Sequence, residues 1–177
     1  GMQVQAGFIL GFDSDLESVF DNLIKFIQQS GIVTAMVGLL NAPRGTQLHK
    51  RMMSENRLLE DATGDNIDFS MNFIPKMNHE VLMKGYKNVV QTIYSPKHYY
   101  QRVVTFLKNY RPAENAKPSF QFCNVKAFIR SMWRIGIFSK ERFYYWRLLA
   151  WSFRHPSRFQ LAVTFAIYGF HFRRAFD

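Results

Sequence analysis

Apolar residues run almost without a break from Val4 to Leu10, interrupted only by Gln5. Such a run predicts a strand buried on both faces of a parallel sheet. Polar residues follow at Asp13, Ser14, Asp15 and Glu17, and the period then changes. Leu16, Val19, Phe20, Leu23, Ile24 and Ile27 recur at helical spacing. Ser14 and Glu17 fit the S-x-x-E capping box, in which each side chain meets an orphan backbone N–H at a helix start. Gly31 stands where a left-handed residue would end this helix. Thr34 to Leu40 is a second apolar strand. Strand, helix and strand with short connections predict a βαβ unit with parallel neighbours.

Pro43 and Gly45 predict a turn, and Thr46 can cap a helix that starts at Gln47. Asn56 to Met77 reads as a loop, with Gly64, Asp65, Asn66 and Pro75 as turn formers. The helical period returns at Asn78, with Leu82, Tyr86, Val89, Val90 and Ile93 on one face. Ser95 and Pro96 suit the cap and first position of a further helix. Tyr99, Val103, Phe106, Leu107 and Tyr110 line its inner face. Arg111 to Ser119 reads as a linker, and three helices are expected beyond it: Asn124–Ile135, Lys140–Arg154 and Pro156 to about Phe172. The organisation predicted is a βαβ portion over 1–60, a helical extension over 61–117 and a helical region over 118–177. The fold class expected is α+β and mainly helical.

Charge changes the picture of the last region. The chain has 177 residues and a net charge of +10. From Pro118 onward there are ten Lys or Arg against two Asp or Glu, and 17 of the 29 Phe, Tyr and Trp residues. Anionic partners are therefore to be sought at the tail. Cys123 is the only cysteine, which excludes an internal disulfide and any cysteine-built zinc or iron–sulfur site made by this chain alone. The cytoplasm is the compartment expected, with the inner face of the membrane as a peripheral location. Phe159 to Phe172 lacks charge but falls short of the roughly 20 apolar residues that span a bilayer.

Other constellations carry little chemistry. Asp13, Asp15 and Glu17 read as caps and helix-dipole partners rather than metal ligands. Asp61, Asp65 and Asp68 read as turn residues, because the spacing and closing Glu of a calcium loop are absent. The five histidines lack H-E-x-x-H spacing, and neither a nucleophile elbow nor a Walker loop occurs.

The segment "GFILGFDSDLESVFDNLIKFIQQSGI", followed by "TAMVGLLNAPRGTQLHKRM", resembles the last part of a radical SAM barrel. Gly7, Ile9 and Gly11 match its G-x-I-x-G strand. Pro43, Gly45 and Thr46 match the Pro-x-Gly-Thr loop after the next strand. "TGDNIDFSMNFIPKM", "GYKNVVQTIYSPKHYYQRVVTFLKNY" and "YYWRLL...AIYGFHFRR" resemble the C-terminal domain of unknown function in cobalamin-dependent radical SAM proteins, a group related to hopanoid methylases. The resemblance implies that the strand pair is a remnant of a TIM-like barrel. It implies a C-terminal fragment of a methylase of a lipid-like substrate, not competent alone. The parent would use S-adenosylmethionine, a [4Fe–4S] cluster and cobalamin. The fragment's partners would be the missing N-terminal barrel and cobalamin domain. Gly7, Ile9, Gly11, Leu39 and Asn41 would lie beside S-adenosylmethionine. Many such barrels place a Glu soon after such a glycine; here Asp13 and Asp15 are the nearest acids.

The residues also admit a different class of function, a stand-alone helical interaction or membrane-surface module without catalysis. Unpaired strand edges would make the chain self-associate. Three readings fit the tail. Arginines ring a small aromatic core; or the tail rests on anionic lipid through Trp133, Trp146, Trp151 and adjacent Arg residues; or it binds nucleic acid, for which no recognised motif is present.

Overall fold

The structure is a computed structural model that describes residues 2–59, 71–111 and 122–176. Its elements are β1 (Gln5–Leu10), α1 (Ser18–Ser30), β2 (Thr34–Leu39), α2 (Gln47–Ser54), α3 (His79–Tyr94), α4 (Pro96–Asn109), α5 (Phe122–Ser131), α6 (Arg142–Phe153) and α7 (Pro156–Phe176), with a π-helical stretch at Met132–Ile137 after α5. The protein is mainly helical with a small parallel sheet. The expected boundaries after residues 60 and 117, and the Asp61, Asp65 and Asp68 turn, lie outside the described residues. The chain divides into two compact units.

The first unit comprises Gln5–Phe26 and Thr34–Val90. β1 and β2 pair in parallel, with Gly7 opposite Met36 and Ile9 opposite Gly38. Leu10, Ala35 and Val37 are buried on one face, where Phe8 meets Phe26 of α1 edge-on at 6.0 Å. The other face is bare along Gly7, Ile9 and Met36, where Ile9 is 53% and Met36 65% exposed, and only Thr34 at its start is buried. The expectation of strands buried on both faces therefore fails. One crossover helix covers only one side of a two-stranded sheet, and no third strand pairs with it among the described residues.

The Ser14–Glu17 capping box also fails, because α1 begins at Ser18. The Asp15 carboxylate instead accepts the Gly11 and Phe12 N–H groups, at 2.9 and 3.0 Å. That closes a turn before the helix and leaves Leu16 outside it and exposed. Thr46 caps α2 as expected, accepting from the His49 N–H at 3.1 Å. Asn78 caps α3 through the Glu80 and Val81 N–H groups. Leu82, Tyr86, Val89 and Val90 are buried, and the Tyr86 hydroxyl donates to the Val37 carbonyl at 3.1 Å. A methyl group added at Gly85 would fall 2.3 Å from the Phe20 ring, so glycine permits the close approach of α3 to α1 there.

The second unit comprises Gly1–Val4, Ile27–Val33 and Gln91–Asp177. Gly31 adopts φ 71° and ends α1 as expected. Ser95 precedes α4 but makes no side-chain cap; its hydroxyl donates to the Thr92 carbonyl at 2.8 Å, and Pro96 opens the helix. Tyr99, Val103 and Leu107 are buried. Tyr99 donates to the Phe165 carbonyl of α7 at 2.7 Å and fills the space left by Gly169. Arg102 is fully buried. It donates to the carbonyls of Ile32, Val33 and Ile93 and to Gln28 Oε1, and lies over the Tyr99 ring at 5.6 Å. Burial holds its guanidinium down to about 10. Glu141 is buried and paired with Arg173. Burial raises Glu141 above the usual carboxylate range, and Arg173 opposes the shift.

Arg102→Met should lower stability by about 3 kcal/mol, because several buried carbonyls lose their donor at once. Urea denaturation checks this. The bare strand edges should also make the isolated chain associate. Sedimentation velocity checks that, and a monomer across the micromolar range would refute it.

Candidate functional site

Parallel strands gather functional groups at their C-terminal ends, where loops and bare backbone meet. Here β1 ends in Leu10, with Gly11 directly after it, and β2 ends in Leu39; the Leu40 N–H extends the ladder to the Leu10 carbonyl at 2.8 Å. Gly11 has φ 101° and is buried. A methyl group there would approach Met71 Cε at 3.2 Å and Leu82 Cδ2 at 3.3 Å. The glycine is thus required by conformation and by packing together.

Two features surround this end. The first is an ion-pair cluster. Arg57 Nη2 and Nη1 donate to the two oxygens of Asp13, at 2.7 and 3.0 Å. Arg51 donates to Asp13 Oδ2 at 3.0 Å, and Arg57 also donates to Glu55 and to the Ile74 carbonyl. The hydrogen bonds from Arg57 hold Asp13 below the usual carboxylate range, against the opposing effect of burial. Asp13 and Glu55 raise Arg57 in turn. With both oxygens taken by guanidiniums, Asp13 braces the loops and is poorly suited to proton transfer. The helix-cap reading of Asp13 is corrected accordingly, and that of Asp15 becomes a turn cap.

The second feature is an amide clasp. Asn72 accepts the Ala42 N–H at 2.8 Å and donates to the Ala42 carbonyl at 2.9 Å. Its own N–H donates to Asn41 Oδ1 at 3.0 Å. The carbonyl end of Asn41 is therefore engaged within the fold. Among the described residues, His49 Nε2 on α2 is buried without a hydrogen-bond partner.

Gly7, Ile9, Gly11, Leu39 and Asn41 all fall on the strand pair or its C-terminal edge, but in different settings. Gly7 and Ile9 lie on the bare face, where an added methyl at Gly7 or Gly38 meets nothing within 4 Å among the described residues. Leu39 pairs with Leu10 and is half-buried. Gly11 and Asn41 serve the packing of the edge. The bare face offers open backbone at two glycines beside Ile9 and Met36, a surface that suits a flat or apolar group. Sequence reasoning missed the Asp13–Arg57 brace and the Asn72 clasp. Both join residues at least 30 positions apart, and no local pattern marks such pairs.

Residues 46–177 match the family described as Domain of unknown function (DUF4070). The chain belongs to this family. It is the C-terminal domain of radical SAM/cobalamin proteins. The DUF4070 match runs from Thr46 through α2 to α7 and does not include the strand pair or α1. The chain is 32% identical to an uncharacterized methyltransferase of Synechocystis over 97% of its length. It is 29% identical to the hopanoid C-2 methylase of Rhodopseudomonas palustris over 83% of its length. It spans about a third of the length of these curated relatives, 33% and 28% respectively. No solved structure matches it.

Because the Asp13 pKa is lowered on folding, its contribution to stability is full above the ordinary Asp range. It is lost as pH falls through the depressed folded value. Asp13→Asn should therefore be less stable than the parent at pH 7, and the gap should narrow as pH drops below about 4. Urea midpoints across pH check the sign.

Proposed function

We propose that this chain is the C-terminal part of a methyltransferase that uses radical SAM chemistry with cobalamin and acts on a lipid-like substrate. The observation that carries the reading is the bare, glycine-bearing face of β1 and β2, joined to a DUF4070 domain in a chain similar to two methylase relatives. In this reading the strand pair closes a barrel wall, and its uncovered face turns inward.

The bare face fits S-adenosylmethionine. Gly7 and Gly38 leave the backbone open for a flat ring, and Ile9 and Met36 supply exposed apolar contact beside them. Gly11 and the Asn41–Asn72 contact fix the strand ends, and Leu39 sits at the rim. S-adenosylmethionine supplies the methyl group in such a reaction. An iron–sulfur cluster takes its thiolates from elsewhere in the longer protein, because Cys123 is the only cysteine here. The role of this chain is to bind and orient, and to keep water from the inner face.

Gly7→Val provides the test. A Cβ added at Gly7 meets nothing within 4 Å among the described residues and the position faces outward, so the melting temperature of the chain should change little. In the complete methylase, the added isopropyl group against the ligand costs about 1–3 kcal/mol, so affinity for S-adenosylmethionine should fall about tenfold or more. The isolated chain should bind it only weakly. Unchanged affinity in the complete protein, or micromolar binding by the isolated chain in calorimetry, would overturn the reading.

A further inference from the structure

Between residues 122 and 176 the chain has ten Lys or Arg and one carboxylate, Glu141. That carboxylate is buried against Arg173. The accessible charge of this region is therefore positive throughout its described residues.

The region also exposes an organised apolar ridge. α5, with the π-helical stretch after it, runs antiparallel to α6. Ser131 meets the Tyr145 hydroxyl at 2.7 Å, Trp146 Nε1 donates to the Gly136 carbonyl at 3.0 Å, and Val125 and Phe128 share a groove with Phe153. α6 turns Tyr145, Leu148, Leu149 and Ser152 inward. Its opposite row, Phe143, Trp146, Ala150 and Phe153, faces outward at helical spacing. On the companion helix of the hairpin, Ile129, Trp133 and Ile137 are exposed, and the rings of Trp133 and Phe138 stack at 6.1 Å. Phe138 is 76% and Phe143 71% exposed. Beside this ridge, Lys126, Arg130 and Arg134 form the adjacent row of the helix. With His171 they line a groove of about 480 Å³.

We propose that this face docks on an anionic lipid bilayer. Phosphate-bearing headgroups enter the Lys126–Arg130–Arg134 groove, and Trp133, Phe138 and Phe143 reach the acyl boundary. An apolar ridge flanked by cations is the arrangement that a bilayer surface selects, since one part needs hydrocarbon and the other needs anions. A second copy of the chain would set cations against cations across the contact. A nucleic acid would neutralise the groove but leave the exposed aliphatic side chains Val125, Ile129 and Ile137 in water. The inference does not depend on the methyltransferase reading.

The test is flotation of the full chain with vesicles of phosphatidylcholine, alone or with about one quarter phosphatidylglycerol. Binding is expected only to the anionic vesicles at about 0.1 M salt, with release at about 0.5 M. Tryptophan emission should shift to the blue on binding. Arg130→Ala with Arg134→Ala should weaken partition at least about tenfold. Phe138→Ser with Phe143→Ser should abolish the blue shift while circular dichroism and melting stay unchanged, since both side chains are exposed. Equal binding to neutral vesicles, or no binding to either, would overturn the proposal. So would tight capture of a single-stranded oligonucleotide without vesicle binding, or an oligomer that the two Phe substitutions dissociate.

Discussion

A fully buried guanidinium without a carboxylate partner organises the second unit. Arg102 collects the carbonyls of Ile32 and Val33 after α1 and that of Ile93 in α3, and it adds Gln28 from α1. Those carbonyls lie at helix ends and in the connection to β2, where the backbone has no regular partners of its own. A cation with five donors in a fixed fork satisfies several of them together, as a lysine could not. Tyr99, stacked against Arg102 and hydrogen-bonded to Phe165, carries the same anchoring to α7. Glu141 and Arg173 supply the one buried ion pair among the described residues of this unit, with Arg173 also over the Tyr99 and Tyr100 rings.

The first unit is governed by a different constraint. A two-stranded parallel sheet with one crossover helix has one face covered and one bare. The covered face is small and apolar. The bare face carries two glycines whose added methyl groups would meet nothing within 4 Å among the described residues, so packing among those residues does not explain them. Gly11 and Gly85 differ, since close neighbours account for both. That contrast separates glycines kept for packing from glycines that leave space, and it is why the functional reading rests on Gly7 and Gly38.

Much of the fold was legible along the chain. The strands, the crossover helix, the Thr46 cap, the Gly31 stop and the buried face of α3 all follow local rules, and the structure shows each of them. Three local expectations were displaced. The Asp15 turn outcompeted the Ser14–Glu17 box for the helix start, because one carboxylate could take two N–H groups at the strand end. Ser95 turned back to the Thr92 carbonyl instead of capping α4. The helix expected over Asn124–Ile135 passed into a π-helical stretch, where Trp146 reaches the Gly136 carbonyl.

The sequence by itself determined the order and type of the elements, the basic aromatic character of the tail and the resemblance that the DUF4070 match bears out. These depend on residue periodicity and on short motifs, which act over a few positions. Tertiary structure alone decided which strand face is bare, that Asp13 is locked by Arg57 and Arg51, and that Asn41 is engaged by Asn72. It also decided that Arg102, polar by its letter, is a core residue. Each of those outcomes turns on which groups meet across a long separation in the chain. A charge or an amide is buried only where distant partners satisfy it, and no local pattern records that meeting.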